Sequence, residues 1–397
     1  MEIENKSSNN RLLDAVIELW KDEGHEAGSA RQLSARAAVP VSSIYHHFGS
    51  LEQLFVLAQE QAQGSATHWC SARLVQLTDF PASPQGFPAF FAGIVDDWVH
   101  QCRDLAFAWR EGQLLRTDND VGAQVRTGWR NLWRSFWAEA CDRFNLSHAV
   151  DAVDRLFENE SFLHMLDWRR AVDRAGLDEF ARGVGAWLTA QPLPDSPWRD
   201  FARAQALAAG SQAPAHDGTT ARIAQAAASL IEQSGPVAVT HRAVAQQAGL
   251  TLGVVSHKLR TKAELLQAGF EATYARAIDG LKSRTDAVPP TDPGAALDGI
   301  ADFLAGSLGG RGMDALHLVV ARDPALRPFG LQLRYLRGAT SRHLLAMLQP
   351  DRPHPTHLEA AILSAFLSSL SRGHSDDSPQ DARPVIHAQI AAMIAMR

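Results

Sequence analysis

Sliding the 397-residue chain against itself by 211 positions lays Arg222–Leu266 over Arg11–Phe55 without a gap. Arg31 falls on Arg242, Leu33 on Val244, Ala37 on Ala248, Val39 on Leu250, Ile44 on Val255, His46 on His257, Phe48 on Leu259 and Leu54 on Leu265, while Gly24 falls on Gly235. The apolar positions keep their phase throughout, so the chain is expected to build one kind of unit twice. The alternative is chance likeness between two alanine-rich hairpins. Matched order and matched place in each half weigh against it.

Inside the first copy, Leu33, Ala37 and Ala38 recur at three- and four-residue spacing, which predicts a helix over Arg31–Ala38 with one buried face. Val39-Pro40-Val41 then breaks it, because proline cannot continue a helix and pushes the residue before it towards extended backbone. Ser42 and Ser43 are natural N-caps for a second short helix, Ser43–Phe48. Ile44 and Phe48 would face inward, with Ser42, Tyr45, His46 and His47 more outward. Gly49 ends that helix and Ser50 caps the next, with Glu52 and Gln53 in its first turn. This is a helix-turn-helix, whose second helix can enter a DNA major groove, although any helical hairpin gives the bare pattern.

The run Tyr45-His46-His47-Phe48 followed by Ser50-Leu51-Glu52-Gln53-Leu54 makes it more particular. It resembles the head of the tetracycline-repressor (TetR) family, where a Tyr-x-x-Phe box precedes Ser/Asn-Lys-x-x-Leu. Leu51 departs from that pattern, so one phosphate contact expected of the family has no lysine to make it. The second copy resembles the same head through its Ala248-Gly249 turn, Gly253 and Thr261-Lys262-Ala263-Glu264-Leu265, and departs at Ser256 and Leu259. The resemblance implies three head helices and about six body helices in each half, with two halves pairing through their last two helices.

At this length more than one core is expected. A hydrophobic fraction of 46% with 21% charged residues suits a soluble globular protein. No apolar run approaches the ~20 residues of a membrane helix, and MEIENKSSNN does not read as a signal peptide, so a cytoplasmic location is expected. Cys70, Cys102 and Cys141 have no metal-like or disulfide-like spacing and read as small core residues. The net charge of −6 argues against a general nucleic-acid coat but leaves room for local basic patches. There is no phosphate-cradling glycine motif, His-Glu-x-x-His or nucleophile elbow, so no enzyme activity, cofactor or metal is expected. His354 and His357 sit in a proline-flanked loop without a third ligand.

Beyond the first head the pattern is helical over Leu51–Cys70, Phe87–Cys102, Asp104–Arg116, Val121–Phe144, Ala149–Val172 and Leu177–Ala190. Breaks are expected at Pro81, Pro84, Asp118-Asn119-Asp120, Asn145 and Gly176. The second half repeats the plan over Lys262–Arg284, Asp292–Leu308, Met313–Ala321, Ala325–Leu348, Thr356–Ser371 and Ala382–Met396. No segment alternates as a strand would, so the fold is expected to be all-α. The reading gives a first head over 1–55, a first body over 56–190, a linker over 191–218, a second head over 219–266 and a second body over 267–397. A short helix, Pro197–Ala209, is expected in the linker. Extended chain covers up to ~3.3–3.6 Å per residue, long enough for both halves to pair as two subunits would, an intrachain pseudo-dimer. Further dimerisation of two chains stays open.

The resemblance carries DNA contact onto Ser29, Arg31, Val41, Ser42, Tyr45, His46 and His47 in the first head. In the second it picks Thr240, Arg242, Leu252, Gly253, Ser256, His257, Lys258 and Lys262. The arginines are the best candidates for base edges or phosphate, and the lysines, Tyr45 and His47 for phosphate. His46 and His47 read equally as solvated surface. The second head is the more basic, with Arg242, Lys258, Arg260 and Lys262 against Glu264, and should give more of the salt-dependent affinity. Different recognition helices imply an operator of imperfect dyad symmetry.

All ten tryptophans lie in the first half, and Trp129, Trp133 and Trp137 form a stripe one helical turn apart. Such a stripe is core packing in most helices, yet an aromatic bundle also suits a flat apolar ligand. By resemblance the body would hold a small apolar or aromatic effector near Trp98, Trp109, Arg110, Trp129, Trp133, Phe136 and Phe162, with Arg110 or Arg134 available to a carboxylate. The second body, without tryptophan and with Ala305, Gly306 and Ser307, reads as the structural partner. The expected protein is a ligand-released repressor; the rival is a helical ligand-binding or interaction module with weakened DNA binding.

Overall fold

The computed structural model describes residues 7–24, 28–79, 81–115, 121–211, 217–285, 292–306, 312–352, 354–374 and 376–397. Among them lie twenty α-helices and no strand, so the all-α expectation holds. The expected Asp118-Asn119-Asp120 break, residues 212–216 of the linker, and Ser307 fall outside the described residues. The chain divides into two units, one of residues 1–86 and 96–150, the other of residues 87–95 and 151–397.

The first unit holds α1 (Ser8–Asp22), α2 (Ala30–Ala37), α3 (Val41–Phe48), α4 (Leu51–Gln76), the end of α5 (Phe87–His100), α6 (Arg103–Leu114) and α7 (Val121–Arg143). Leu12, Val16, Leu19 and Trp20 of α1, Leu33 and Ala37 of α2, Ile44 and Phe48 of α3, and Leu54 and Ala58 of α4 are all buried. These give the head an apolar centre; α4 then runs on for 26 residues and packs on α6 and α7.

One boundary in the head differs from expectation. α3 starts at Val41, and Pro40, not Ser42 or Ser43, is its N-cap, with no side-chain cap bond. Ala38 is left-handed (φ 51°), which turns the chain early enough for the Pro40 carbonyl to accept from the Ser43 N–H at 3.0 Å. Both serines are therefore inside the helix.

The second unit holds α8 (Val150–His164), α9 (Arg170–Leu188), α10 (Pro197–Ser211), α11 (Gly218–Ser234), α12 (His241–Ala248), α13 (Leu252–Lys258), α14 (Lys262–Thr285), α15 (Pro293–Gly306), α16 (Gly312–Arg322), α17 (Arg327–Tyr335), α18 (Ala339–Leu348), α19 (His357–Gly373) and α20 (Pro379–Ala395). The helix expected over Ala149–Val172 stops at His164, and Gly176 lies inside α9, not between helices. The break comes instead at 165–169, where the Trp168 N–H donates to the Asp173 carboxylate at 2.9 Å. Gly176 packs beside Arg199 and Tyr335, where a Cβ would make ordinary contacts at 3.4 Å, so the helix tolerates a glycine there without requiring one. The helix expected over Ala325–Leu348 is likewise cut at Gly338, whose φ of 94° suits glycine and whose Cβ would lie 3.0 Å from the Ala360 backbone.

Within this unit, helices expected from the first half lie against helices of the second. Gly183 of α9 lets Leu358 and Ile362 of α19 approach, with a hypothetical Cβ only 2.8 Å from Leu358. The Trp187 indole N–H donates to the Met393 carbonyl of α20 at 2.9 Å. Buried Arg334 of α17 donates to the carbonyls of Leu166 and Asp173, and the neighbouring Tyr335 hydroxyl donates to the Asp173 carboxylate at 2.9 Å. The linker helix α10 buries Ala202 and Ala206 against Leu331, Tyr335 and Val172, and the Glu179 carboxylate accepts from the Trp198 and Arg199 N–H groups at its start.

Candidate nucleic-acid interface

In the first head Ser29 caps α2 reciprocally with Gln32: the Gln32 N–H donates to Ser29 Oγ at 3.2 Å, and the Ser29 N–H to Gln32 Oε1 at 3.3 Å. Arg31, one residue into α2, is exposed and has no ion-pair partner among the described residues. Arg36 is different. Its guanidinium lies 2.7 Å from Asp22 and 3.1 Å from Glu23 of the preceding helix end, and the hydrogen bond with Asp22 foremost raises its affinity for the proton. That cation ties α2 to α1 and is not available to DNA.

α3 buries Ile44 and Phe48 and turns Val41, Ser42, Tyr45, His46 and His47 to solvent, Tyr45 standing 55% exposed. The His46 and His47 rings meet edge to face at 5.0 Å. A short helix seated on its apolar face, with hydroxyl, phenol and imidazole groups outward, can hydrogen-bond base edges and phosphates.

The second head is built alike. Thr240 caps α12 through the Ala243 N–H at 3.1 Å, and Gly249 turns the chain left-handed (φ 62°) 211 residues after Ala38. Gly24 and Gly235, also 211 apart, both have positive φ. The Arg222 guanidinium donates to the Ala248 carbonyl at 2.7 Å, and the Arg11 guanidinium, at a long 3.5 Å, to that of Ala38. α13 buries Val255 and exposes Leu252, Gly253, Val254, Ser256, His257 and Lys258. Arg242, Arg260 and Lys262 are exposed without ion-pair partners among the described residues. Lys258 is paired with Asp217, the N-cap of α11, at 2.5 Å; that hydrogen bond, with those from Thr220, holds the Asp217 carboxyl well below the usual carboxylate range. This neutralising partner was not foreseen, because it lies 41 residues away in sequence.

The expected effector residues are only partly brought together. Trp98, Trp109, Trp129 and Trp133 form one buried cluster in the first unit, with Trp98 and Trp133 ring centroids 4.7 Å apart and Phe136 edge-on to Trp133 at 5.9 Å. The Arg110 guanidinium, 2% exposed, lies 3.9 Å over Trp109, whereas Arg134 is exposed. Phe162 is not in this cluster: it belongs to the second unit, stacked on His317 at 3.9 Å. Two members were missed. Trp69 packs on Trp98 at 5.3 Å, and fully buried Gln59 accepts from the Trp129 indole N–H and donates to the Ala108 carbonyl, both at 2.8 Å. A glutamine on the apolar face of α4 was the available signal. The indole N–H groups of Trp69 and Trp98 are buried without an acceptor among the described residues.

The geometry of α1–α3 defines a helix-turn-helix head with a solvated recognition helix. Residues 12–58 match the family model described as bacterial regulatory proteins, tetR family, and this match implies a DNA-binding transcriptional regulator, of a kind generally without enzymatic activity. No curated protein matches the chain. Among the described residues no group of three or more His, Cys, Asp and Glu is placed to hold a metal, and no helix is long and apolar enough to cross a membrane.

Proposed function

We propose that the protein is a ligand-responsive repressor carrying two DNA-reading heads on one chain, the halves paired as two subunits would be. The observation that carries this reading is the recurrence, 211 residues apart, of the same head geometry: a hydroxyl-capped helix, a left-handed turn and a recognition helix seated on one buried aliphatic residue. Packing of α9 on α19, with the Trp187 to Met393 bond, supports intrachain pairing. The operator is an imperfect dyad, because Ser42, Ser43, Tyr45 and His47 of one recognition helix stand where the other has Gly253, Val254, Ser256 and Lys258.

The effector is a small flat aromatic molecule carrying a hydrogen-bond acceptor, bound among the tryptophans of α4, α5, α6 and α7. Its acceptor would satisfy the indole N–H of Trp98 or Trp69, each of which costs about 1–3 kcal/mol while buried unpaired. By linkage, an effector that prefers the state weak for DNA lowers DNA affinity by the factor that DNA lowers its own. Selection of bound duplexes from a random pool, with and without aromatic acids, tests the whole reading. A dyad-like sequence released by one of the acids is the expected result; failure to enrich any sequence would sink it and favour the interaction-module alternative.

A further inference from the structure

Leu252 and Val254 open α13 on either side of Gly253, 47% and 37% exposed, and neither joins a buried cluster of the second unit. At 100° per residue, Gly253 and His257 lie opposite the buried Val255, with Leu252 and Ser256 on one flank and Val254 and Lys258 on the other. A Cβ on Gly253 would meet nothing within 4 Å, so glycine is not required by the protein's own packing there. The outward face thus offers a low central point between two aliphatic side chains. Arg242 and Lys262, unpaired among the described residues, stand on the adjoining helices to take phosphate.

In the major groove the apolar feature of a base pair is the thymine 5-methyl group. Resting on the proposed binding of DNA by the second head, we infer that Leu252 and Val254 read thymine methyl groups, with Gly253 letting the backbone come close. The first head has Val41 at the Leu252 position but half-buried, polar Ser43 at the Val254 position. One thymine is therefore common to both half-sites, and a second is read only in the half-site of α13.

The test uses the full chain and the duplex enriched from a random pool, resynthesised with deoxyuridine for one thymidine at a time. Deoxyuridine removes the methyl and keeps the base pair. Affinity should fall about fourfold at each contacted thymine, the worth of one buried methyl-sized group. V254A should abolish sensitivity at the unshared position alone, and L252A at the shared position of that same half-site. Neutral deoxyuridine at every position, with R242A still weakening binding, would overturn this inference and leave the second head on DNA. R242A without effect would remove the second head from DNA and the inference with it.

Discussion

Arg372 of α19 lays its guanidinium on the carboxylate of Glu158 in α8, 214 residues away, with Nε to Oε1 at 3.0 Å and Nη2 to Oε2 at 2.7 Å. The same Nη2 reaches Asn159 Oδ1 at 2.8 Å. Both side chains are largely withdrawn from water, so the pair is fixed by geometry that neither half holds alone. Removing Glu158 leaves buried Arg372 with Asn159 and the longer ion pair to Asp314 at 3.8 Å. E158A should therefore destabilise the fold by less than the ~3–5 kcal/mol of a buried charge left without a counter-ion, and replacing both residues by apolar ones of similar volume should recover most of that loss. Urea unfolding followed by circular dichroism would show this as a midpoint lowered in E158A and restored in an E158L/R372M chain.

Arg31 and Arg242 should act on DNA, and Arg36 on folding. R31A and R242A should each lower the slope of log affinity against log salt by about 0.9 without moving the unfolding midpoint. R36A, which breaks the bonds to Asp22 and Glu23, should do the reverse. Filter binding across a salt series beside thermal melts separates the two.

Asp217 restrains Lys258. Asparagine caps a helix as well as aspartate does, so D217N should leave α11 intact while releasing the lysine. DNA affinity at low salt should rise a few-fold, since an exposed ion pair is a weak competitor for the cation. K258A should make D217N silent, a result readable by gel shift.

Gln59 joins Trp129 to the Ala108 carbonyl. Q59L leaves the Trp129 indole N–H buried and unpaired, at a cost of about 1–3 kcal/mol, whereas the Ala108 carbonyl, inside α6, keeps its helical bond. The expected outcome is a lower melting temperature and a blue-shifted or less quenched tryptophan emission, because the Trp129 indole loses its polar neighbour.

Glu359 sets an acid limit on the second unit. Burial pushes its carboxyl up, but hydrogen bonds from Arg397 and Thr356 outweigh burial and hold it below the usual carboxylate range. A carboxyl lowered by folding adds stability above its unfolded pKa of about 4.3, and that share disappears as pH falls through the lower folded value. R397A should therefore lower the urea midpoint at pH 7 and shrink the difference between pH 7 and pH 3.

Much of the head geometry was legible because helix phase is local. Ile44 and Val255 face inward by spacing alone, and Ser29 and Thr240, which the structure shows as caps, are of residue types that cap helices. The start of α3 was misplaced because the left-handed Ala38 carries no sequence mark, whereas Gly249 does. Gly176 read as a break although an isolated glycine is tolerated inside a helix, and α9 is held by packing against residues such as Tyr335, 159 positions further along.

By itself the sequence determined the helix-turn-helix pattern that recurs 211 residues on, its buried faces and its outward residues, since apolar period, cap and turn chemistry act within a few residues. Only the tertiary structure decided which cations are free, where Phe162 lies, and that α9 packs on α19. Those outcomes turn on partners 41 to 214 residues apart, such as Lys258 with Asp217 and Arg372 with Glu158, brought together only when apolar burial folds the chain back on itself.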